Sequence, residues 1–412
     1  IMPMRPPAGF ISAFYDPLKN PNAPTIGTAT GGDTQVSVAF TAPSNVGGSA
    51  ISSYTAISTP GAFTGSAASS PVTVTGLTNG TAYTFAVWAT NTYGPSAFSA
   101  SSNSASPAAQ RGVFGGGLAN GNYTNVIQYV DITSTGNALD FGDLTGDGGG
   151  GRSACSSATR GVFGGGGANG RNNVMDYITI ASTGNAASFG NLALPSGDSS
   201  TLGLGSASNS TRGLWAGGQP SAGVTSVIQY ITIATTGNST SFGNLTTSRC
   251  FISACASPTR AVFAGGGDFS SSPQNTIDYV TTATTGNATD FGDLSTASAR
   301  IAVGVCSSST RGLFAAVGGT YSNANSNVIE YITIATAGNS TDFGDLTIST
   351  AGDSNSSTSS NVRGLFAGGG DGATNVISYV TIASIGNATD FGDLLNLWNG
   401  AAGLSNCHGG LS

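Results

Sequence analysis

Charge is scarce in this chain. Charged residues make up 8% of its 412 residues, against roughly a quarter in ordinary soluble proteins. There is one Lys (Lys19), one His (His408) and one Glu (Glu330). With 12 basic against 19 acidic residues and a net charge of −7, the chain has no basic surface to neutralise a run of phosphates, which excludes nucleic acid as a partner. A single His and a single Glu leave little for acid–base catalysis or metal ligation, so no enzyme, cofactor or metal is expected. Five Cys in this length make no disulfide scaffold. No apolar run reaches the roughly 18 residues of a membrane span, so no membrane insertion is expected. No secretion signal opens the chain. It begins Ile1-Met2, which reads as a processed or partial product.

What is abundant is Gly (63 residues), with Ser, Thr, Ala, Val and Ile. That composition, poor in strong helix formers, points to an all-β protein. An internal repeat organises most of it. The phrase Arg-Gly-Val-Phe-Gly-Gly-Gly from Arg111 recurs with small changes from Arg160, Arg212, Arg260, Arg311 and Arg363, at spacings of 49, 52, 48, 51 and 52 residues. Each copy is followed by an apolar phrase that ends in Gly-Asn, such as 125–137, and then by one like Asp140-Phe-Gly-Asp-Leu144. Each unit reads as four short strands. The first is weakly marked, as in 301–306, and the second starts at the repeated Arg. The third is apolar on both faces, as in 328–334, which is the pattern of a strand buried on both sides. A Thr-Gly-Asn hairpin turn leads to the fourth.

Val262-Phe-Ala-Gly-Gly266, Tyr279 and, in place of the usual Trp, Phe291 resemble the marks of kelch repeats. The resemblance covers 111–412 and implies a six-bladed β-propeller of four-stranded blades. The first unit lacks room for its first strand. The stretch 401–407 aligns with 300–306, so the C-terminus is expected to supply that strand as a latch. On this alignment Cys155, Cys255, Cys306 and Cys407 are equivalent small strand residues, separated blade from blade and not disulfide-bonded.

Residues 24–108 carry alternating segments at 34–40, 51–57 and 72–75, then Leu77 to Tyr83 and a strand through Trp88. With Pro24, Pro43 and the Leu77–Tyr83 corner they resemble fibronectin type III domains, which implies a β-sandwich whose Tyr83 hydrogen-bonds to upstream backbone. Stretch 101–109 reads as a linker. The first 22 residues are Pro-rich and aromatic. The phrase 15–24 ahead of such a domain, like the Gly-rich repeats, resembles virion proteins of marine tailed phages, cyanophages especially. The resemblance implies a place on the surface of the extracellular particle. The expected organisation is a 1–22 anchor, a 23–108 fibronectin type III-like domain and a 109–412 propeller. Phe10, Ile11, Phe14 and Tyr15 would hold the anchor to other virion proteins.

Asp-Phe-Gly invites a kinase reading, but the chain has no His-Arg-Asp loop and its one Lys is Lys19. The spaced carboxylates could chelate Ca²⁺. They are expected instead to close turns and pair with the repeated Arg. The Asp293 position is filled by Asn191 and Asn244, which favours hydrogen bonding over charge. The turns on one face of such a disc are nearly uniform, whereas the loops on the other differ in every unit, and variable loops on a rigid scaffold are where binding is placed. Tyr123, Arg171, Phe269, Gln274 and Tyr321 lie in those loops, and aromatic and amide groups suit sugars. The expectation is a non-enzymatic virion protein that binds a host-surface glycan weakly. The alternative is a decoration protein of head, tail or fibre with no ligand.

Overall fold

The structure, a computed structural model, describes residues 18–146, 149–166, 172–193, 201–220, 223–267, 273–298, 304–317, 326–350, 356–369 and 373–411. Every described element is a strand except one short 3-10 turn, Gly409–Leu411. The all-β composition is therefore realised as small antiparallel sheets. The chain divides into two units, Ile1–Ala109 and Gln110–Ser412.

In the first unit, β1 (Thr25–Gly32), β2 (Gln35–Thr41) and β5 (Val72–Thr75) form one sheet in the order β1-β2-β5. The second sheet is ordered β4-β3-β6-β7, from β3 (Ser53–Thr59), β4 (Thr64–Ala67), β6 (Thr84–Asn91) and β7 (Gly94–Pro95). Alternation places every second side chain of β6 inward, where Phe85, Val87 and Ala89 meet Val36, Val38 and Val74. Tyr83 Oη accepts from the Thr78 N–H at 3.2 Å. The stretch read as a linker is not one. Within it Ser102 accepts the Phe85 N–H at 3.0 Å, Asn103 caps Ala29 and Ala105 bonds Tyr83, and just ahead of it Ser96 and Ser99 accept two further β6 N–H groups at 3.0 Å. A regular spacing of three pins this segment along the open edge of β6, where an unpaired strand would invite aggregation.

The second unit holds six antiparallel sheets, numbered here one to six along the chain, five of four strands and the sixth of four strands extended by a short two-stranded hairpin. Sheet two shows the plan: Ser153–Ser156, Arg160–Gly164, Val174–Thr179 and Ala187–Asn191, in that spatial order. Sheet one takes its first strand from the far end of the chain. Ala402–Ser405 lies antiparallel to Arg111–Gly115, in the place the first repeat leaves empty. The register departs from the sequence alignment by three residues. Leu404, not Cys407, pairs with Val113 as Cys155 pairs with Val162 and Cys306 with Leu313.

The size of that residue is matched to the next sheet. Cys155 packs on Gly213, Cys255 on Gly312, Cys306 on Gly364, Thr358 on Gly112 and Leu404 on Gly161. A Cβ at Gly161 would sit 2.6 Å from a methyl carbon of Leu404. The Gly of each Arg-Gly pair thus clears space for the neighbouring sheet. In sheet four this Gly is Ala261, and there the equivalent residue of sheet three is small, Ala207, in the same buried cluster.

Backbone and side-chain hydrogen bonds tie the sheets in cyclic order. The turn Asn of each sheet bonds the fourth strand of the sheet before it: Asn185 to Asp143, Asn238 to Asn191, Asn287 to Asn244, Asn339 to Asp293 and Asn387 to Asp345, at 2.9–3.1 Å from Oδ1 to backbone N. The sixth bond, Asn137 to Asp393 at 3.0 Å, returns from sheet one to sheet six. The turn Gly repeats the cycle through its N–H, ending with Gly136 to the Phe391 carbonyl at 2.9 Å.

The repeated Arg does not pair with the Asp-Phe-Gly-Asp carboxylates as expected. Each guanidinium lies over the Tyr of its own sheet, 4.4–5.0 Å from the ring centroid. It donates to carbonyls of the next sheet, as Arg160 does to Ile233 and Ala234 at 3.0 and 2.7 Å. Arg363 returns to Ile132 and Thr133 of sheet one. The Tyr in turn meets the Phe of Phe-Gly edge-on in all six sheets. One stack of Arg, Tyr and Phe per sheet explains why these three residues survive in every copy.

Candidate functional site

The ends of the sheets differ. At one end lie the Arg-stacked strand starts and the Gly-Asn turns, all engaged in the cyclic bonds. At the other end lie the loops that vary from unit to unit. Tyr123 is 49% exposed, on a short hairpin of Leu118–Ala119 and Asn122–Tyr123. That hairpin pairs with Trp398 and Asn399, the tip of sheet six's long outer strand Thr389–Asn399. Trp398 anchors it by donating its Nε1–H to the Gly116 carbonyl at 2.7 Å. The same tip exposes Leu395 and Leu397. Tyr123 is therefore an exposed aromatic side chain on a hairpin whose backbone is paired.

Gln274 stands on sheet four, half-buried, its Oε1 accepting from Thr247 Oγ1 at 2.9 Å. The structure does not bring it beside Tyr123, which belongs to sheets one and six. Arg171, Phe269 and Tyr321 lie outside the described residues, as do Phe10, Ile11, Phe14 and Tyr15.

A polar belt escaped the sequence reading. The third strands are not apolar on both faces throughout: Gln128, Asp176, Gln229, Asp278, Glu330 and Ser378 occupy one equivalent position, all buried. Five of the six bond directly to the segment just after the repeated Leu of the preceding sheet. Asp278 accepts from Thr246 N and Oγ1 at 3.2 and 2.7 Å, and Gln128 from Leu395 N at 2.9 Å. Glu330 accepts from Ser295 and Ser340, and Asp176 from Thr145. Gln229 is reached through Ser239, which also takes the Ala193 N–H. Two of these carboxylates hold buried ion pairs, Arg152–Asp176 at 3.1 Å and Arg249–Asp278 at 3.0 Å. Burial pushes the Arg249 pKa down, and Asp278 opposes that. Residue type hides the belt, because the six positions share no chemistry except a polar tip. Only their common register, opposite the second strand's aromatic residue, marks them.

The first strands surround a cavity lined by small residues, among them Ala154, Ser206, Ala254, Ser357 and Gly403. Their last residues form a hydroxyl chain. Ser208 donates to the Ser156 carbonyl, Ser156 to Ser405, Ser405 to Ser359, Ser359 to Ser307 and Ser307 to Ala256, at 2.5–3.1 Å. Ala256 has no hydroxyl, so the chain breaks before the Ser208 carbonyl. The C-terminal turn fills that break, with Gly410 packed on the Ser208 carbonyl and Gly409 on that of Ser308. His408 Nδ1 accepts the Gly410 N–H at 3.1 Å, and Nε2 faces the Ser156 carbonyl at 3.2 Å and Ser208 Oγ at 3.3 Å. This arrangement requires the proton on Nε2 and a neutral ring. Burial pushes the His408 pKa from 6.5 down to about 4. The same burial pushes the Cys155 and Cys306 thiols up, and Cys255 to about 12.

Among the described residues no group of three or more His, Cys, Asp or Glu is placed to hold a metal ion. No described helix is long and apolar enough to cross a membrane. Neither a known protein family nor a curated protein matches the chain.

Proposed function

We propose that the six cyclically bonded sheets are the blades of a kelch-like β-propeller latched by Ala402–Ser405, and that the first unit is a fibronectin type III-like sandwich. The return of the Asn, Gly and Arg bonds from sheet six to sheet one supports the first part. The strand orders β1-β2-β5 and β4-β3-β6-β7, with the Tyr83–Thr78 bond, support the second.

On this scaffold the protein is a non-enzymatic virion component that presents its variable face for weak binding of a host-surface glycan. The observation that carries this reading is the division of labour between the two ends. One is spent on inter-sheet bonds, and the other displays Tyr123 from a hairpin braced by Trp398. A rigid aromatic face loses little entropy when a sugar ring stacks on it. Residues 1–22, with Phe10, Ile11, Phe14 and Tyr15, attach it to other virion proteins.

The test is binding of the full chain to a glycan panel and to intact bacterial cells. Saturable binding weakened at least several-fold by Tyr123→Ala or Tyr321→Ala supports adhesion. No binding to any glycan or cell assigns the protein to decoration of the particle. Lys19 and Asn22 bond to Gly47 and Asn45 of the first unit, so deleting residues 1–17 is expected to abolish incorporation into particles while the sheets stay folded.

A further inference from the structure

The C-terminal turn is held by interactions that only a neutral imidazole can make. His408 Nδ1 must offer a lone pair to the Gly410 N–H, while Nε2–H donates to the Ser156 carbonyl. A proton added at Nδ1 removes that acceptor and sets two N–H groups against each other. The carboxylate that acts on the turn is Asp131, which is felt at Cys407 and does not line the cavity that the ring borders. The cavity that the ring borders takes only uncharged groups from all six first strands, with Cys155 and Cys255 its thiols and Ser156, Ser208, Ser307, Ser359 and Ser405 its hydroxyls. The loop residue Ser308 packs on the turn itself. The titratable groups among these are thiols held neutral by burial, and no carboxylate or cationic side chain lines this cavity.

We propose that His408–Leu411 is a pH-released plug: protonation of His408 undocks the turn and opens the cavity at the end opposite the variable loops. The sign follows from linkage. A His whose docked pKa lies below its free value holds the docked form fully above about pH 6.5 and progressively less down to about pH 4. With those two values the open fraction rises roughly 30-fold between pH 7.5 and pH 5. Acidification therefore frees a segment that the fold otherwise keeps against the hydroxyl chain, without touching the cyclic bonds that hold the sheets.

His408 is the sole His in the chain, so an NMR titration of the full-length protein reads one group. Cys407 beside it, half-buried with its pKa pushed up to about 12, reports undocking through labelling with dithiodipyridine, normalised at each pH to the unfolded chain. The expected results are an imidazole midpoint near 4 and a Cys407 labelling ratio that climbs roughly 30-fold from pH 7.5 to 5. His408→Gln keeps an amide donor and acceptor but cannot charge, and it should flatten that rise. An imidazole midpoint near 6.5, a labelling ratio independent of pH, or an equal rise in His408→Gln would each overturn the proposal. The NMR midpoint decides the matter even if the variant does not dock.

Discussion

Gly392 and Gly136 touch each other where sheet six meets sheet one, yet they should respond very differently to a single methyl group. Gly392 has φ +150°, a conformation closed to residues with a Cβ, and an added Cβ would overlap the Gly136 carbonyl. Gly136 has ordinary φ, and nothing stands within 4 Å of its would-be Cβ. Gly392→Ala therefore carries backbone strain of about 1–3 kcal/mol. It also displaces the neighbouring turn, which threatens the Gly136–Phe391, Ala138–Asp393 and Asn137–Asp393 bonds, each worth about 1 kcal/mol net. Together these predict a loss of about 4–6 kcal/mol for Gly392→Ala if all three bonds break, against no more than about 0.5 kcal/mol for Gly136→Ala. Urea unfolding followed by intrinsic fluorescence measures both. Equal, small effects would refute the view that the Phe-Gly glycine exists to let the next sheet's turn approach.

Arg249→Met should cost about 3–5 kcal/mol by stranding the Asp278 carboxylate in the interior, whereas Arg249→Met with Asp278→Asn should recover most of that loss; a double variant as unstable as the single one would contradict the pairing. Cys155, Cys255 and Cys306 should resist thiol reagents until the protein unfolds, since burial raises their pKa values and removes the reactive thiolate; rapid labelling in the native state would show their strands to be open. Tyr83→Phe should lose about 1 kcal/mol with the Thr78 bond, read as a shift of the first unit's unfolding midpoint; no shift would mean that the Tyr83 ring alone matters.

Much of the second unit could be read before any geometry, because repetition multiplies a weak signal by six. Arg, Tyr, Phe and Gly-Asn recur because each is a part of the inter-sheet joint, and recurrence flags them even where their partners are unknown. The partners themselves were misjudged. Opposite charge suggested Arg with Asp, but the half-buried guanidinium goes to an aromatic face and to backbone carbonyls of the next sheet. The first strands were hardest to place. They are short and rich in Ser, Ala and Gly, with no alternation of large residues to set a register, so the C-terminal strand aligned three residues out. The glycine it covers would have corrected this, since Leu404 is the residue of the C-terminal strand that packs on Gly161. The polar belt stayed hidden because Gln, Asp, Glu and Ser look unrelated until the strands are laid side by side. Of the candidate binding residues, Tyr123 is displayed and Gln274 is half-spent on Thr247, a difference no loop sequence encodes.

The account rests on the C-terminal strand completing sheet one. Hydrogen exchange by mass spectrometry on the full chain tests this directly. The peptide containing Ala402–Ser405 should exchange as slowly as that containing Gly205–Ser208, the first strand of sheet three, which is likewise paired on one side. Removing residues 400–412 should deprotect Arg111–Gly115. Exchange of 402–405 at the rate of an unstructured tail, or unchanged protection of 111–115 after the truncation, would contradict the closure.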